Sequence, residues 1–585
     1  MPWHQSGPSG RAETYRGVLV AGPQEAAIAT LLQAADALGT TDPGTAAQLA
    51  GRALELAPIR HPLRGPLVAR RAISLFAAGL GEEGRRFADT ALRQVLPAEE
   101  EARVRFSVAS MFDLSPDLRA DNARTALALP ELTTDLRAWL WASLFHNLVV
   151  AGRTDEALAI EGKAREAVYS SRNHACWFAF ELPESAVHYQ IYGFDGGLEI
   201  LQTAERRGLG GQDDARERLA HNFRSWLLAA VDRYEEALHA IDEGVAAAQR
   251  DRQNWALRVF ETSRGRQMLQ MGQLGEAAVA LEGRHSLDEA HLVVGVLEAP
   301  SVVALGKLKI HTGDERGAAE VAEIAKIMLQ TSAPSIRSHA AWYLALHAMS
   351  FGKADQAHDW LCAGGHDNRL KLFPLFPFEI ADDPQLVRIA VAAGDEELAE
   401  HVIEQAEHRC ALNPGVVSFK AAAAHARGLW RSSAYDLRTA ASLFATGPRP
   451  LATASALEDL GRLQASEGAT DDAVASLDRA LAIDAQAGAS WDAARVRGRL
   501  RQLGVRRRIV ISERPTTGWE ALTSAEAAVA QLASDGKTNR EIAETLFISP
   551  HTVNSHLRHI FDKLGVNSRV SLTRIAEAQR ARRAD

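Results

Sequence analysis

Cysteine is almost missing from this sequence: 585 residues hold three, Cys176, Cys362 and Cys410, far apart and without CxxC spacing. That excludes a disulfide framework, a zinc site built on paired thiols and a dithiol redox couple, and leaves the three as small hydrophobes suited to burial. Aromatic residues are also sparse, at 6%. A core must therefore come from close approach of small side chains, and alanine is abundant in nearly every stretch, as suits packed helices. No apolar run approaches the roughly 18 residues of a membrane span. The N-terminus MPWHQSGPSGRAETYRGVLVAG lacks the basic start and long apolar stretch of a secretory signal. A cytoplasmic protein with no membrane partner is expected. Enzyme motifs are missing too: there is no HExxH, no GxSxG and no metal-spaced Cys/His cluster. A nucleotide loop needs Gly-x-x-x-x-Gly-Lys-Ser/Thr, and the nearest string, Gly536-Lys537-Thr538, has Gln531 where its first glycine belongs. The expectation is a non-enzyme with no cofactor and no metal.

The net charge of −9 is unevenly spread. Residues 501–585 hold 14 Lys+Arg against 9 Asp+Glu, a charge of +5, so residues 1–500 carry −9 − 5 = −14. A basic end fits either an anionic partner or a merely solvated terminus.

A short pattern recurs along the acidic part: AGRTDEALAI from Ala151, VDRYEEALHAI from Val231, MGQLGEAAVAL from Met271, EGATDDAVASL from Glu467, and others. The turn residues Gly152, Gly193, Asp232, Gly272, Gly313, Gly352, Gly394 and Gly468 fall about 40 residues apart, with a degenerate copy at Gly428 dividing the last interval into 34 and 40. Gly79 marks a weaker, earlier copy. Five places after the anchor stand Ala157, Leu198, Ala237, Ala277, Ala318, Ala357, Ala399 and Ala473. Glycine ends one helix, polar residues open the next, and alanine lets that helix approach its predecessor closely. A helix pair of this kind buries its apolar face only by stacking on neighbours, which predicts an α-solenoid. The units resemble tetratricopeptide repeats, with a spacing about six residues longer than that family's usual period. The prolines of KLFPLFPFEIADDP (Pro374, Pro377, Pro384) and the stretch ATGPRP around Pro448 mark breaks between units.

Beyond Leu503 the period stops. GVRRRIVISERPTTGWEA, residues 504–521, reads as a linker. The remainder divides into four helices by its own punctuation. Thr523 with Glu526 and Thr538 with Glu541 form capping boxes. Ser549 caps a third helix with Pro550 in its first turn, Gly565 stops it, and Ser568 caps the fourth. On the third helix Val553, Leu557, Ile560, Phe561 and Leu564 cover an arc of roughly 100° that must face the first two. His551, Asn554, Ser555, Arg558 and His559 lie toward the other side, residue types that donate to base edges and phosphates.

The pattern Leu522-Thr523, Glu526, Thr538-Asn539-Arg540-Glu541-Ile542-Ala543, Leu546, Ile548-Ser549, Thr552-Val553, His556, Ile560, Lys563-Leu564-Gly565-Val566 and Arg569 resembles the C-terminal DNA-binding domain of LuxR-family transcriptional regulators. Ala525 stands where that family usually has arginine. The resemblance implies a helix-turn-helix domain that binds double-stranded DNA. Its base contacts would come from Asn554, Ser555 and Arg558, and its phosphate contacts from Lys537, Thr538, Asn539, Thr552 and Lys563. His556 reads as a packing residue. Val570, Leu572 and Ile575 on the fourth helix serve either a homodimer contact or packing within the domain. RNA polymerase is a further partner that the resemblance implies. The whole chain is similar, more loosely, to the repeat-containing LuxR-type regulators, without the ATPase that precedes their repeats.

The aromatic-rich stretch from His174 to Phe194 offers Trp177, Phe178, His188 and Tyr189 either as a ligand or peptide groove or as inter-repeat core. The expected architecture is all-α. Residues 1–25 form a flexible lead and 26–503 the tetratricopeptide-like repeats, a sensor or protein-docking arm for a protein or small ligand. Residues 504–521 form the linker and 522–585 the four-helix DNA-binding domain. Two other readings stay open: a repeat-based adaptor with only nonspecific DNA affinity, and a regulator working with an ATPase on a separate chain.

Overall fold

The computed structural model describes residues 23–584 except 40–41, 79, 112–113, 172, 209–216, 251–253, 283–298, 332–333, 364–378, 508–517, 520–521, 523 and 547–549. Residues 1–22, Gly79, Pro374, Pro377, Thr523, Ser549 and most of the linker therefore lie outside the described residues. Among the described residues every regular element is a helix.

From Pro23 to Gln502 the helices stack as antiparallel pairs, such as Thr134–Val150 with Thr154–Ser170 and Asn254–Gln270 with Leu274–Glu282. They make a tetratricopeptide-like α-solenoid. The turn inside each pair is built as the spacing predicts. At the eight anchors φ lies between 68° and 81°, and at all of them but Gly193 the next residue donates its amide to the carbonyl five places back, as Arg153 does to Leu148 and Lys353 to Ala348. This left-handed stop suits glycine, and Asp232 adopts it at φ 68° as one of the few other residue types that tolerate it. Gly428 does not mark such a turn. The left-handed residue of that unit is Ser432, at φ 48°, while Gly428 sits within the helix Val417–Arg431 and supplies the carbonyl that Ser433 bonds. The last two intervals are thus 38 and 36 residues, counted from Gly394 to Ser432 to Gly468. Breaks occur where proline requires them: Pro384 lies in the first turn of Asp382–Ala393, and Pro450 opens Pro450–Ser466.

The alanines five places on are the contact surface of each pair. Ala157, Ala237, Ala277, Ala357, Ala399 and Ala473 have no solvent exposure, and Ala318 has almost none. A larger side chain there would force packed helices apart, a cost of about 1–3 kcal/mol. Pairs also extend N-terminal to the repeats that the glycine pattern reveals, with Pro23–Leu38 on Pro43–Leu56 and Ala98–Ala109 on Pro116–Leu127. Cys176 is buried, but Cys362 is exposed, so the reading of all three thiols as core residues fails there.

The superhelix winds tightly enough for successive turns to touch. The Phe194 amide donates to Asn413 Oδ1 at 2.7 Å, and Gly193 packs so closely on the Leu412 carbonyl that a Cβ would approach it to 2.6 Å. Further along, Arg449 donates to Asp232 at 2.6 Å and to the Ala229 carbonyl at 3.0 Å, and His311 Nδ1 lies 2.7 Å from Asp492. These contacts join residues 219, 217, 220 and 181 places apart and form a seam.

The four C-terminal helices, Ser524–Ser534, Asn539–Leu546, Pro550–Leu564 and Arg569–Ala584, share a separate small core. Val529, Ala530, Ile542, Val553, Leu557, Ile560 and Leu572 fill it, with Phe561 and Leu564 half-buried at its edge.

Candidate nucleic-acid interface

The third C-terminal helix meets its neighbours along the arc that the spacing requires. Val553 and Ile560 are fully buried and Leu557 nearly so, which turns the opposite side outward. Asn554 and Arg558, one turn apart, are exposed on that side. The side chains of His551, Thr552, Ser555 and His559 lie outside the described residues. His556 is half-buried, as a residue between the two faces should be.

The approach to this helix is fixed by hydrogen bonds. The capping box at the second helix is formed: the Thr538 amide donates to Glu541 Oε2 at 2.7 Å, and the Glu541 amide donates to the Thr538 hydroxyl at 3.3 Å. The Thr538 amide and hydroxyl together hold the Glu541 carboxyl below its ordinary range. Gly536 ends the first helix at φ 84° and Gly565 the third at φ 64°. Ser568 caps the fourth, accepting from the Ser571 amide at 3.2 Å.

Two of the residues read as phosphate ligands also act inside the domain. Lys563 donates to Glu526 at 2.6 Å, tying the end of the third helix to the first, with the carboxylate almost wholly buried. Asn539 Oδ1 accepts from Arg569, which also donates to the Lys537 carbonyl at 2.6 Å. Thr538 is exposed and Lys537 half-exposed at the same turn. Arg569 and Glu526 are thus positioning residues that the sequence shows only as pattern matches, since their partners lie 30 and 37 places away. On the fourth helix Leu572 is fully buried in the domain core, so it packs within the domain and offers nothing to a dimer. Ile575 is half-buried, and the side chain of Val570 lies outside the described residues.

The aromatic stretch does not make one groove. Trp177 donates its indole N–H to the Ser171 carbonyl at 3.0 Å and meets the Tyr169 ring edge-on, while His188 lies 3.0 Å from Glu161. Both therefore face the helix Thr154–Ser170. Phe178 is buried in a different cluster with Leu182 and Phe194, and Tyr189 packs against it. Burial pushes the Tyr189 phenol up to about 12, against the pull of Arg409 and Arg449. Neighbouring positions on a helix diverge by about 100°, so Trp177 and Phe178 were bound to separate. Among the described residues no cluster of three His, Cys, Asp or Glu would hold a metal ion, and no helix is long and apolar enough to cross a membrane.

Residues 520–576 match the family described as bacterial regulatory proteins, luxR family. Over 60 residues the chain is 50% identical to a Mycobacterium bovis protein provisionally named an HTH-type transcriptional regulator, a stretch covering 10% of this chain and 7% of that one. It is 46% identical over 55 residues to an uncharacterised response regulatory protein of Escherichia coli, covering 9% and 37%. The chain thus spans only a small part of the curated relatives it matches. Among solved structures, the APC/C hetero-tetramer Cut9-Hcn1 is similar over 96% of this chain and 98% of that chain, with a TM-score of 0.38 and 12% identity.

Proposed function

With a luxR-family helix-turn-helix domain at residues 520–576, the chain is, we propose, a sequence-specific transcription regulator whose repeats serve as a sensor or protein-docking arm. In this reading residues 26–503 form the arm, 504–521 the linker and 522–585 the reader. The helix Pro550–Leu564 enters the major groove. Asn554, Ser555 and Arg558 choose the sequence, asparagine pairing with adenine and arginine with guanine. Lys537, Thr538, Asn539, Thr552 and Lys563 hold the phosphate backbone and supply most of the affinity and its salt dependence.

The observation that carries this reading is the exposure of Asn554 and Arg558 beside a fully buried Val553 and Ile560. A helix held in that rotation presents hydrogen-bonding groups where an ordinary solvated helix has no use for them. The test is titration of the full chain onto promoter fragments and onto random duplex. Arg558→Ala should weaken a cognate site by about 1–3 kcal/mol and random DNA little. Equal loss on both would favour the adaptor reading. Measurable ATP affinity in the purified chain would contradict the lack of a nucleotide site. Duplex DNA is the partner proposed here, with RNA polymerase, a homodimer mate and a repeat-bound protein or small ligand as further ones.

A further inference from the structure

The linker meets the reading helix, Pro550–Leu564, before it enters the first helix of the reader. The reading helix ends at the left-handed Gly565, and the Val566 amide donates back to the Phe561 carbonyl at 3.0 Å. A helix leaves its last four carbonyls without partners inside it. Here the carbonyl of Lys563 is satisfied from outside: the Gly518 amide donates to it at 2.7 Å. The chain order suggests that the linker joins the reader at its first helix, yet the first hydrogen bond it makes there is to the far end of the third.

Two further features hold this contact. Gly518 has φ 91°, a backbone angle open to glycine and to few other residues, and a Cβ there would meet no atom within 4 Å, so the conformation and not the space calls for glycine. Trp519 follows it and packs, half-buried, against the core of Val529, Ile542, Val553, Leu557 and Ile560, while its carbonyl accepts from the amide of the buried Leu522 at 3.1 Å. Lys563 is thus held twice, its carbonyl by Gly518 and its ammonium by Glu526. Gly518 and Trp519 both precede residues 520–576, the stretch that matches the family.

A short helix behaves as a rod, so the seat of one end sets the position of the other. Asn554 stands ten residues before Leu564, about 15 Å along the axis, and a tilt of about 5° about the C-terminal end moves it by more than about 1 Å. Hydrogen bonds to base edges tolerate about half of that. Contacts to phosphates, made by long side chains to a repeating backbone, tolerate more. We propose that Gly518 and Trp519 form a clasp that seats the reading helix, and that they are positioning residues for base recognition by Asn554 and Arg558. The inference deepens the DNA-reading function proposed above and rests on it for the effect on binding, whereas the effect of the clasp on the helix end stands apart from it.

Two measurements on the full chain test it: amide hydrogen exchange over residues 561–566, and titration onto promoter fragments and random duplex. Gly518→Pro removes the N–H and cannot take the positive φ, and Trp519→Ala removes the packing. Each should speed exchange at the helix end and weaken the cognate site about fivefold to tenfold, the worth of one backbone hydrogen bond, while random duplex changes less than about twofold. Trp519→Phe, which keeps an aromatic ring in the core, should stay within about threefold of the parent chain on the cognate site. Exchange that neither Gly518→Pro nor Trp519→Ala alters would overturn the clasp and leave residues 518–519 as plain linker. Faster exchange with equal loss on both DNAs, or with no loss on either, would leave a helix cap and overturn the positioning role. If the parent chain itself does not prefer promoter fragments, the regulator reading falls, and the exchange data alone decide whether the clasp holds the helix.

Discussion

Charged side chains do different work in the two parts of this molecule. In the repeats one set of them turns inward and is paired: Arg388 with Asp459 and His425, Arg495 and Arg499 with Glu458, Arg449 with Asp232 and Glu379. The last of these is 3% exposed. In the C-terminal unit the polar groups of the third helix face outward, and the internal ties, Lys563 to Glu526 and Arg569 to Asn539, only hold that helix in place. The comparison teaches that residue type alone does not separate a structural charge from a recognition group. Burial and partnering do, because an inward charge without a partner is costly, whereas an outward one costs little and remains available.

The largest effect should come from cutting the seam. Arg449→Leu strands the Asp232 and Glu379 carboxylates in the interior and should cost about 3–5 kcal/mol; thermal or urea unfolding of the full chain measures it. A loss under about 1 kcal/mol would mean that the superhelical turns do not depend on one another.

Asp484 comes next, as an inward charge that lacks a compensating cation close by. Burial raises its carboxyl to about 8, reinforced by Asp492 and Glu458 and opposed by Arg495. A native pKa above the unfolded one means that the folded state holds the proton longer, so stability from this group is complete at acid pH and is lost as pH rises toward 8. Between about pH 5 and pH 8 the loss is up to about 4 kcal/mol. Asp484→Asn should flatten that slope and raise the melting temperature more at the upper end. An unchanged pH profile would show that Asp484 is already ionised in the fold.

In the reader the same kind of deletion should spare stability. Arg558→Ala should cost about 1–3 kcal/mol of cognate DNA binding and less than about 0.5 kcal/mol of folding free energy. If it destabilised the domain as Arg449→Leu destabilises the arm, the contrast between the two parts would collapse. Smallest of all, Ser432→Gly removes the strain of a left-handed residue bearing a side chain and should stabilise the arm by about 0.5–1 kcal/mol, seen as a small upward shift in melting temperature.

Much of this architecture was legible in the sequence because the repeat's chemistry is local. A left-handed stop, a polar first turn and an alanine five places on lie within eight residues, and even Asp232 could be placed at the stop by its register with the glycines. The same logic misled at Gly428, whose role is close packing against Leu437, and it was silent for the first pairs, where the glycine pattern is weak. In the C-terminal unit the caps at Thr538 and Ser568 and the buried arc of the third helix followed from spacing alone. The seam was illegible for a different reason. Its bonds join residues about 180 to 220 places apart, and nothing near Arg449 in the chain marks Asp232 as its partner. The aromatic stretch failed as a groove because composition records how many rings a segment has, not which way each one turns.

The stitched seam has a mechanical consequence. An open coil of helix pairs stretches and flexes like a spring, each unit yielding a little. Here Asn413, Arg449 and Asp492 each grip the preceding coil, so the arm should resist small pulls as a stiff tube and then give way abruptly when the grips shear, a threshold device where its relatives in shape would be compliant ones.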